Sequence, residues 1–258
     1  MLQENVGLIL PRRVELAGGW QHALVTNLLG EHVTVSLKTI DYLFPLYLYP
    51  DADEKDLLSH PSQPAERRAN LESSVLQVLK DAHGRKPTPE QVFHYAYAVL
   101  CSPTYRTKYV EFLKTDFPRV PLTQDRDLFV QLARLGKRLV DLHLLSSPEL
   151  DPPIARFQGV GDNKLEKHRY NEQEKRAYIN KNQYFEGIGP EVWEYRIGGY
   201  QVLEKWLKDR KGRPLSLGDI RHYCRIVTAL AKTIDLQGQI DRVYPETESD
   251  TITIEPEA

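Results

Sequence analysis

Thr123–Val160, TQDRDLFVQLARLGKRLVDLHLLSSPELDPPIARFQGV, holds the change of period on which the fold class turns. Leu128, Leu132, Leu135, Leu139 and Leu142 alternate spacings of four and three, which predicts a long helix with one apolar face, capped by Thr123. At this length such a stripe reads as a packed core face rather than a dimer seam. Asp151-Pro152-Pro153 then breaks the helical period, and Ile154–Val160 reads as a strand.

Upstream, helices are expected over Glu66–Ala82, from the cap Thr88-Pro89-Glu90-Gln91 to about Cys101, and from Ser102-Pro103 to about Thr115. The first 50 residues read as strands: Val6–Leu10, His22–Thr26, His32–Ser36 and Tyr42–Tyr49, the last made irregular by Pro45. Asp51–Pro64 is polar and reads as a loop. Downstream, Leu165–Tyr170, Ala177–Asn180 and Val192–Ile197 read as strands. Helices follow from about Tyr200 to Lys211 and from Asp219 to Leu236, the latter capped by Ser216 and Asp219. The expectation is an α+β fold: a short-stranded β region (1–50), a central helical bundle (65–147), then a second β region with closing C-terminal helices (154–240).

The chain has 258 residues, 41% hydrophobic and 27% charged, values ordinary for a soluble globular protein. No apolar run approaches the ~18–20 residues of a membrane span. MLQENVGLILPRR lacks the features of a signal peptide. Cys101 and Cys224, far apart in apolar helical contexts, read as buried thiols in a reducing cytoplasm. Between Asp241 and Ala258, six acids against the single base Arg242 give −5 of the chain's net −2, so the body carries +3. This acidic stretch, 241–258, is expected to be disordered. A mildly positive body is compatible with a DNA partner without requiring one.

No complete active site is legible. Asp151-Pro152-Pro153-Ile154 resembles the D/N-P-P-Y/F signature of adenine methyltransferases but has Ile154 where an aromatic would stack on the base, and no glycine-rich nucleotide turn precedes it. Gly159-Val160-Gly161 and Gly187-Ile188-Gly189 read as loops. The eight histidines show no zinc spacing, so no metal site is expected. No G-x-S-x-G elbow occurs. Asp162, Glu166 and Lys167 are the nearest approach to a nuclease centre, and a solvated loop is the simpler reading.

Two stretches carry the chemistry of nucleic-acid contact. Asn163–Tyr184, NKLEKHRYNEQEKRAYINKNQY, holds Lys164, Lys167, His168, Arg169, Asn171, Lys175, Arg176, Asn180, Lys181, Asn182 and Gln183. Arg and Lys pair with guanine O6/N7, and Asn and Gln with adenine N6/N7, so these are the candidate base-reading residues. A solvated, strand-linking excursion has the same composition. Gly198–Arg213 places Lys205, Lys208 and Arg210 on a helix whose Leu203, Trp206 and Leu207 bury the other face, with Lys211 beyond it. Together with Tyr200, Arg106 and Lys108 these are the candidate phosphate contacts. A basic solvated helix face is the alternative.

Phe93–Leu100 (FHYAYAVL), the following SPTYRTKYVEFLKTDFPRVPL, Tyr178–Ser216 and VSLKTIDYLFPLYLYP together resemble the C-terminal specificity region of type ISP restriction–modification enzymes and related adenine methyltransferases. The resemblance spans about Leu8–Ile240. It implies a DNA target-recognition domain over 1–240 that reads an asymmetric duplex sequence and presents its adenine to a methyltransferase domain. The nuclease, the ATP-driven translocase and the methyltransferase would lie outside this chain, so S-adenosylmethionine and ATP are expected only there, and no catalysis is expected here. Arg106, Tyr200, Lys205, Trp206, Lys208 and Arg210 fit the family pattern, whereas Asn163–Lys175 fits it poorly. A second function class stays open: a protein-interaction scaffold that docks the methyltransferase, with the Leu128–Leu142 stripe or the Tyr42–Tyr49 strand exposed.

Overall fold

The computed structural model describes residues 4–15, 18–30, 32–34, 39–49 and 67–253. β1 (Gly7–Pro11) pairs with β2 (Leu24–Thr26) and β3 (Asp41–Pro45) in an antiparallel sheet of order β2-β1-β3. The Tyr42–Tyr49 run divides after Pro45, which supplies no N–H to a ladder, and β4 (Tyr47–Leu48) pairs instead with β5 (Arg68–Ala69). The strand expected at His32–Ser36 is not seen over 32–34, which form a turn and bend, and its remainder lies outside the described residues, as does the Asp51–Pro64 loop.

The helical part follows its caps. α1 (Ser73–His83) starts later than expected, behind β5, and ends at Gly84 in the left-handed region, φ 68°. α2 (Pro89–Cys101) has the full Thr88/Gln91 capping box. Ser102 caps α3 (Pro103–Lys108), and Tyr109 separates it from α4 (Val110–Leu113), so the single helix expected to Thr115 is two. α5 (Arg126–His143) is capped by Asp125, whose carboxylate accepts from the amides of Asp127 and Leu128 at 2.7 and 3.1 Å. Thr123 is not the cap, because it is buried and bridges to Thr251. All five stripe leucines are buried, and Gly136 lets α5 approach α2 so closely that a Cβ there would lie 1.8 Å from the His94 carbonyl oxygen.

After a 3-10 turn at Pro148–Leu150 come β6 (Arg156–Gln158), β7 (Arg169–Asn171), β8 (Arg176–Tyr178) and β9 (Tyr184–Glu186), forming a four-stranded antiparallel sheet of order β6-β9-β8-β7. The strand expected at Val192–Ile197 is instead α6 (Pro190–Trp193), opened by Gly189-Pro190, followed by β10 (Arg196–Ile197). β10 pairs with β11 (Tyr200–Gln201), and α7 (Val202–Lys208) follows.

α8 (Leu217–Ser249) is 33 residues long and capped by the Ser216/Asp219 box. Tyr223, Cys224, Val227 and Leu230 join the core beneath the four-stranded sheet, while Ala229, Leu236, Ile240 and Tyr244 join the core of the helical part. It therefore belongs to both cores. This overturns the expectation of a disordered stretch from residue 241 as far as the described residues reach. Asp241 accepts from Ser102 Oγ at 2.5 Å and from the Thr104 amide, Tyr244 and Thr247 are buried, and Ile252 N donates to Leu122 O at 2.7 Å. Asp241 and Glu248 serve as acceptors at the two ends of α3, and of the apolar residues among these acids Tyr244 is buried while Val243 and Ile252 pack partly buried against the core. Residues 254–258 lie outside the described residues. Among the described residues no helix is long and apolar enough to cross a membrane.

Candidate nucleic-acid interface

The register of the four-stranded sheet sorts its side chains into transverse rows. Phe157, Phe185, Ala177 and Tyr170 form the middle row and turn inward: Phe185 packs on Tyr223 at 4.3 Å, and Tyr170 stacks on Trp193 at 4.6 Å between centroids. Side chains alternate along strands, so the flanking rows share the opposite face. They are Arg156–Glu186–Arg176–Asn171 and Gln158–Tyr184–Tyr178–Arg169. Arg176 lies over the Tyr184 ring at 4.3 Å and Arg169 over the Tyr178 ring at 4.8 Å. Tyr178 and Tyr184 touch each other, which makes the tyrosines a shared platform for two guanidinium groups.

Loops extend this face. Leu165 N donates to Arg213 O at 3.1 Å, Gly212 N to Leu165 O at 2.7 Å, and Lys164 bridges to Pro214. His168 Nε2 lies 3.3 Å from Glu204 Oε1 on α7. The two basic stretches are thus adjacent in space. Among the described residues, Lys164, Lys167, Lys175, Lys181, Lys211 and Arg213 are exposed and form no ion pair. Lys175 holds the β7–β8 turn at φ 52°, and Asn171 Oδ1 accepts from the Glu174 amide there at 3.3 Å.

Three of the expected base readers have structural roles. Gln183 is buried: its Oε1 accepts from Asn163 N and Asn180 Nδ2 at 2.9 and 3.0 Å, and its Nε2 donates to Asn163 Oδ1 at 2.7 Å. Asn180 spends its amide on Lys164 O, Gln183 and the amides of residues 182 and 183. Asn182 is exposed, but its carbonyl packs where a Cβ on Gly159 would sit 2.0 Å away, at φ 95°, so that turn requires glycine. Gln183 has no free edge for a base, and Asn180 and the Asn182 backbone hold the turn in place.

Most of the expected phosphate contacts are already engaged. Lys205 pairs with Asp209 at 2.5 Å, Lys208 with Glu204 at 2.8 Å, and Arg210 with Asp219 at 3.2 Å while stacking on Trp206 at 3.7 Å. Lys208 then holds the Glu204 carboxyl below the usual range, with His168 adding to the effect. Tyr200 is half-buried in β11 beneath the Lys205 ammonium. Lys108 pairs with Glu248 and so ties α3 to α8, while its side chain stays about half exposed.

Arg106 is engaged within the chain as well. It donates through Nε to Leu100 O at 2.6 Å and lines a cavity of about 270 Å³ at the seam of the two cores. His143, on the same cavity, is half-buried. The Thr233 hydroxyl donates to Ala229 O at 2.7 Å, so it accepts from His143 Nε2 at 2.9 Å and leaves Nδ1 to accept the Tyr97 hydroxyl at 2.6 Å. Burial, and then the Arg106 charge, lower the His143 pKa to about 4, keeping it neutral.

Arg156, Gln158, Glu186 and Arg213 also stand on or beside this face and were not among the sequence candidates. The alternation of apolar and polar residues in Ala155–Arg156–Phe157–Gln158 is the signal that marks Arg156 and Gln158.

No curated protein sequence matches the chain. Several solved structures share its fold. The ATP-dependent Type ISP restriction–modification enzyme LlaBIII bound to DNA aligns with a TM-score of 0.69 at 19% identity, over 92% of this chain and 16% of that one. A nuclease-deletion mutant of the Type ISP enzyme LlaGI, in complex with a DNA substrate mimic, aligns at 0.63 and 18%, over 92% and 21%. A DrdV–DNA complex aligns at 0.64 and 23%, over 96% and 25%. The chain thus spans a quarter or less of each of these chains. The family model of the Type ISP C-terminal specificity domain matches residues 1–238, and the chain belongs to that family.

Proposed function

We propose that this chain recognises a specific duplex DNA sequence as the specificity domain of a restriction–modification enzyme. The observation that carries the reading is the open sheet face, with Arg156, Arg169, Arg176, Gln158 and Asn171 on a tyrosine platform beside the unpaired cations Lys164, Lys167, Lys211 and Arg213. Four strands at ~4.8 Å spacing span roughly 14 Å, comparable with the ~12 Å width of a major groove. Bases are read from the rows, and phosphates are held by the flanking loops. In the parent enzyme an adenine-specific methyltransferase domain acts on the site so presented. S-adenosylmethionine and ATP belong to other domains, and calorimetry of this chain with either gives no heat of binding.

Fluorescence anisotropy of a labelled random duplex tests the reading. Binding that weakens steeply with salt is expected. No binding at low salt would overturn it for the isolated chain.

A second reading, docking of the methyltransferase domain, is favoured by a separate surface. Tyr42 and Phe44 are exposed and close edge-on over Phe117 at 5.3 and 5.4 Å, near the exposed Phe112. The leucine stripe, the other surface expected for docking, is buried in the core. The two readings use different faces and can hold together.

A further inference from the structure

Glu186 is out of place on a face built for polyanions. It sits in the row Arg156–Glu186–Arg176–Asn171, between two arginines, and its side chain is 30% exposed. A carboxylate there repels phosphates and lowers affinity for every duplex alike. Pairing Arg176 does not account for it, because the two groups are 3.8 Å apart and Arg176 already leans on Tyr184 and on Glu174 at 3.6 Å. The carboxylate is also aimed: Gln158 Nε2 donates to its Oε1 at 3.0 Å, which fixes the plane and leaves Oε2 with only the long 3.8 Å contact to Arg176, so that it has acceptor capacity to spare.

Among base edges in the major groove, an amino group is what such an acceptor binds. Cytosine presents N4 with no acceptor beside it, whereas adenine places N7 next to N6, where it repels a carboxylate. The paired guanine offers O6 and N7, acceptors that suit a guanidinium one strand away.

We propose that Glu186 is a specificity-determining residue that accepts a hydrogen bond from cytosine N4, with Arg176 taking the guanine of the same C·G pair and Gln158 positioning the carboxylate. The inference rests on the reading of this chain as a DNA-recognition domain. Glu186 selects rather than grips, since its attraction exists only at the matching base.

The test is selection of the 258-residue chain and of Glu186→Gln on a random duplex library, with anisotropy on the selected and random duplexes. The wild type should return a consensus containing a C·G pair. In Glu186→Gln, preference at that one pair should fall by roughly 5- to 150-fold, the other positions should keep theirs, and the random duplex should bind more tightly. Gln158→Leu should weaken the same position by less. Unchanged melting temperatures show that both variants fold. Equal discrimination at every position in wild type and Glu186→Gln, or a loss shared by all sequences, overturns the assignment while leaving DNA recognition standing. Failure of the wild type to bind any duplex overturns both.

Discussion

His168 Nε2 lies 3.3 Å from Glu204 Oε1, and this contact fastens the loop before β7 to α7, 36 residues further along the chain. Two basic stretches that are separate in sequence therefore present one surface. Glu204 is the hinge of its charge balance, because it also neutralises Lys208. Glu204→Gln should free Lys208 and steepen the salt dependence of random-duplex binding by up to about one unit in log K against log[salt]. Stability should change by less than about 1 kcal/mol, as expected for exposed pairs. An unchanged slope would mean that Lys208 faces away from the DNA.

The unpaired cations and the paired ones should separate on mutation. Lys211→Ala and Arg213→Ala should each weaken all sequences alike and lower the salt slope by about one unit. Lys108→Ala should leave the slope unaltered, since Glu248 already holds that ammonium. Salt titrations by anisotropy decide it, and a lowered slope in Lys108→Ala would move the DNA onto α3.

His143 gives the fold a dependence on pH. Its folded pKa is about 4 against the ordinary histidine value of 6.5, so in the folded chain the neutral ring persists where the unfolded chain takes up a proton. The stabilisation is complete above 6.5, is lost as the pH falls toward 4, and loses no more below that. The full loss from this group is about 3 kcal/mol. Urea unfolding at several pH values should show it, and His143→Gln, which cannot titrate, should flatten the profile between pH 6.5 and 4. A profile unchanged by the substitution would place the proton uptake on other groups, His22 first, since burial and then Arg106 lower it to about 4 as well.

Tyr244 tests the role of the acidic C-terminal stretch. It is fully buried, edge-on to Tyr105 at 5.9 Å. Tyr244→Ala should cost about 3–5 kcal/mol, by analogy with buried Phe or Trp truncation. Truncation after Ile240 should cost at least as much. Urea midpoints read both, and a truncated chain as stable as the full one would make the stretch dispensable.

Much of this protein is local and was legible. The caps of α2, α3 and α8 depend on Thr88, Ser102, Ser216 and their neighbours within three residues, and the leucine stripe of α5 on a period that only a helix satisfies. The α+β class follows from that level, while the family was legible through the resemblance carried by longer stretches such as Phe93–Leu100 and Tyr178–Ser216. Where two local signals competed, the tertiary structure chose: Thr123 and Asp125 can both cap, and pairing with Thr251 withdraws the first. Net charge along the chain determined that 241–258 is acidic, but not that Asp241 would cap α3 or that Tyr244 would find a pocket 139 residues back. The site divides the same way. Sequence determined the inventory of arginines, lysines and amides. Strand register alone decided that Arg156, Glu186 and Arg176 share an open row while Gln183 turns inward, because a one-residue shift in pairing exchanges the two faces of a strand.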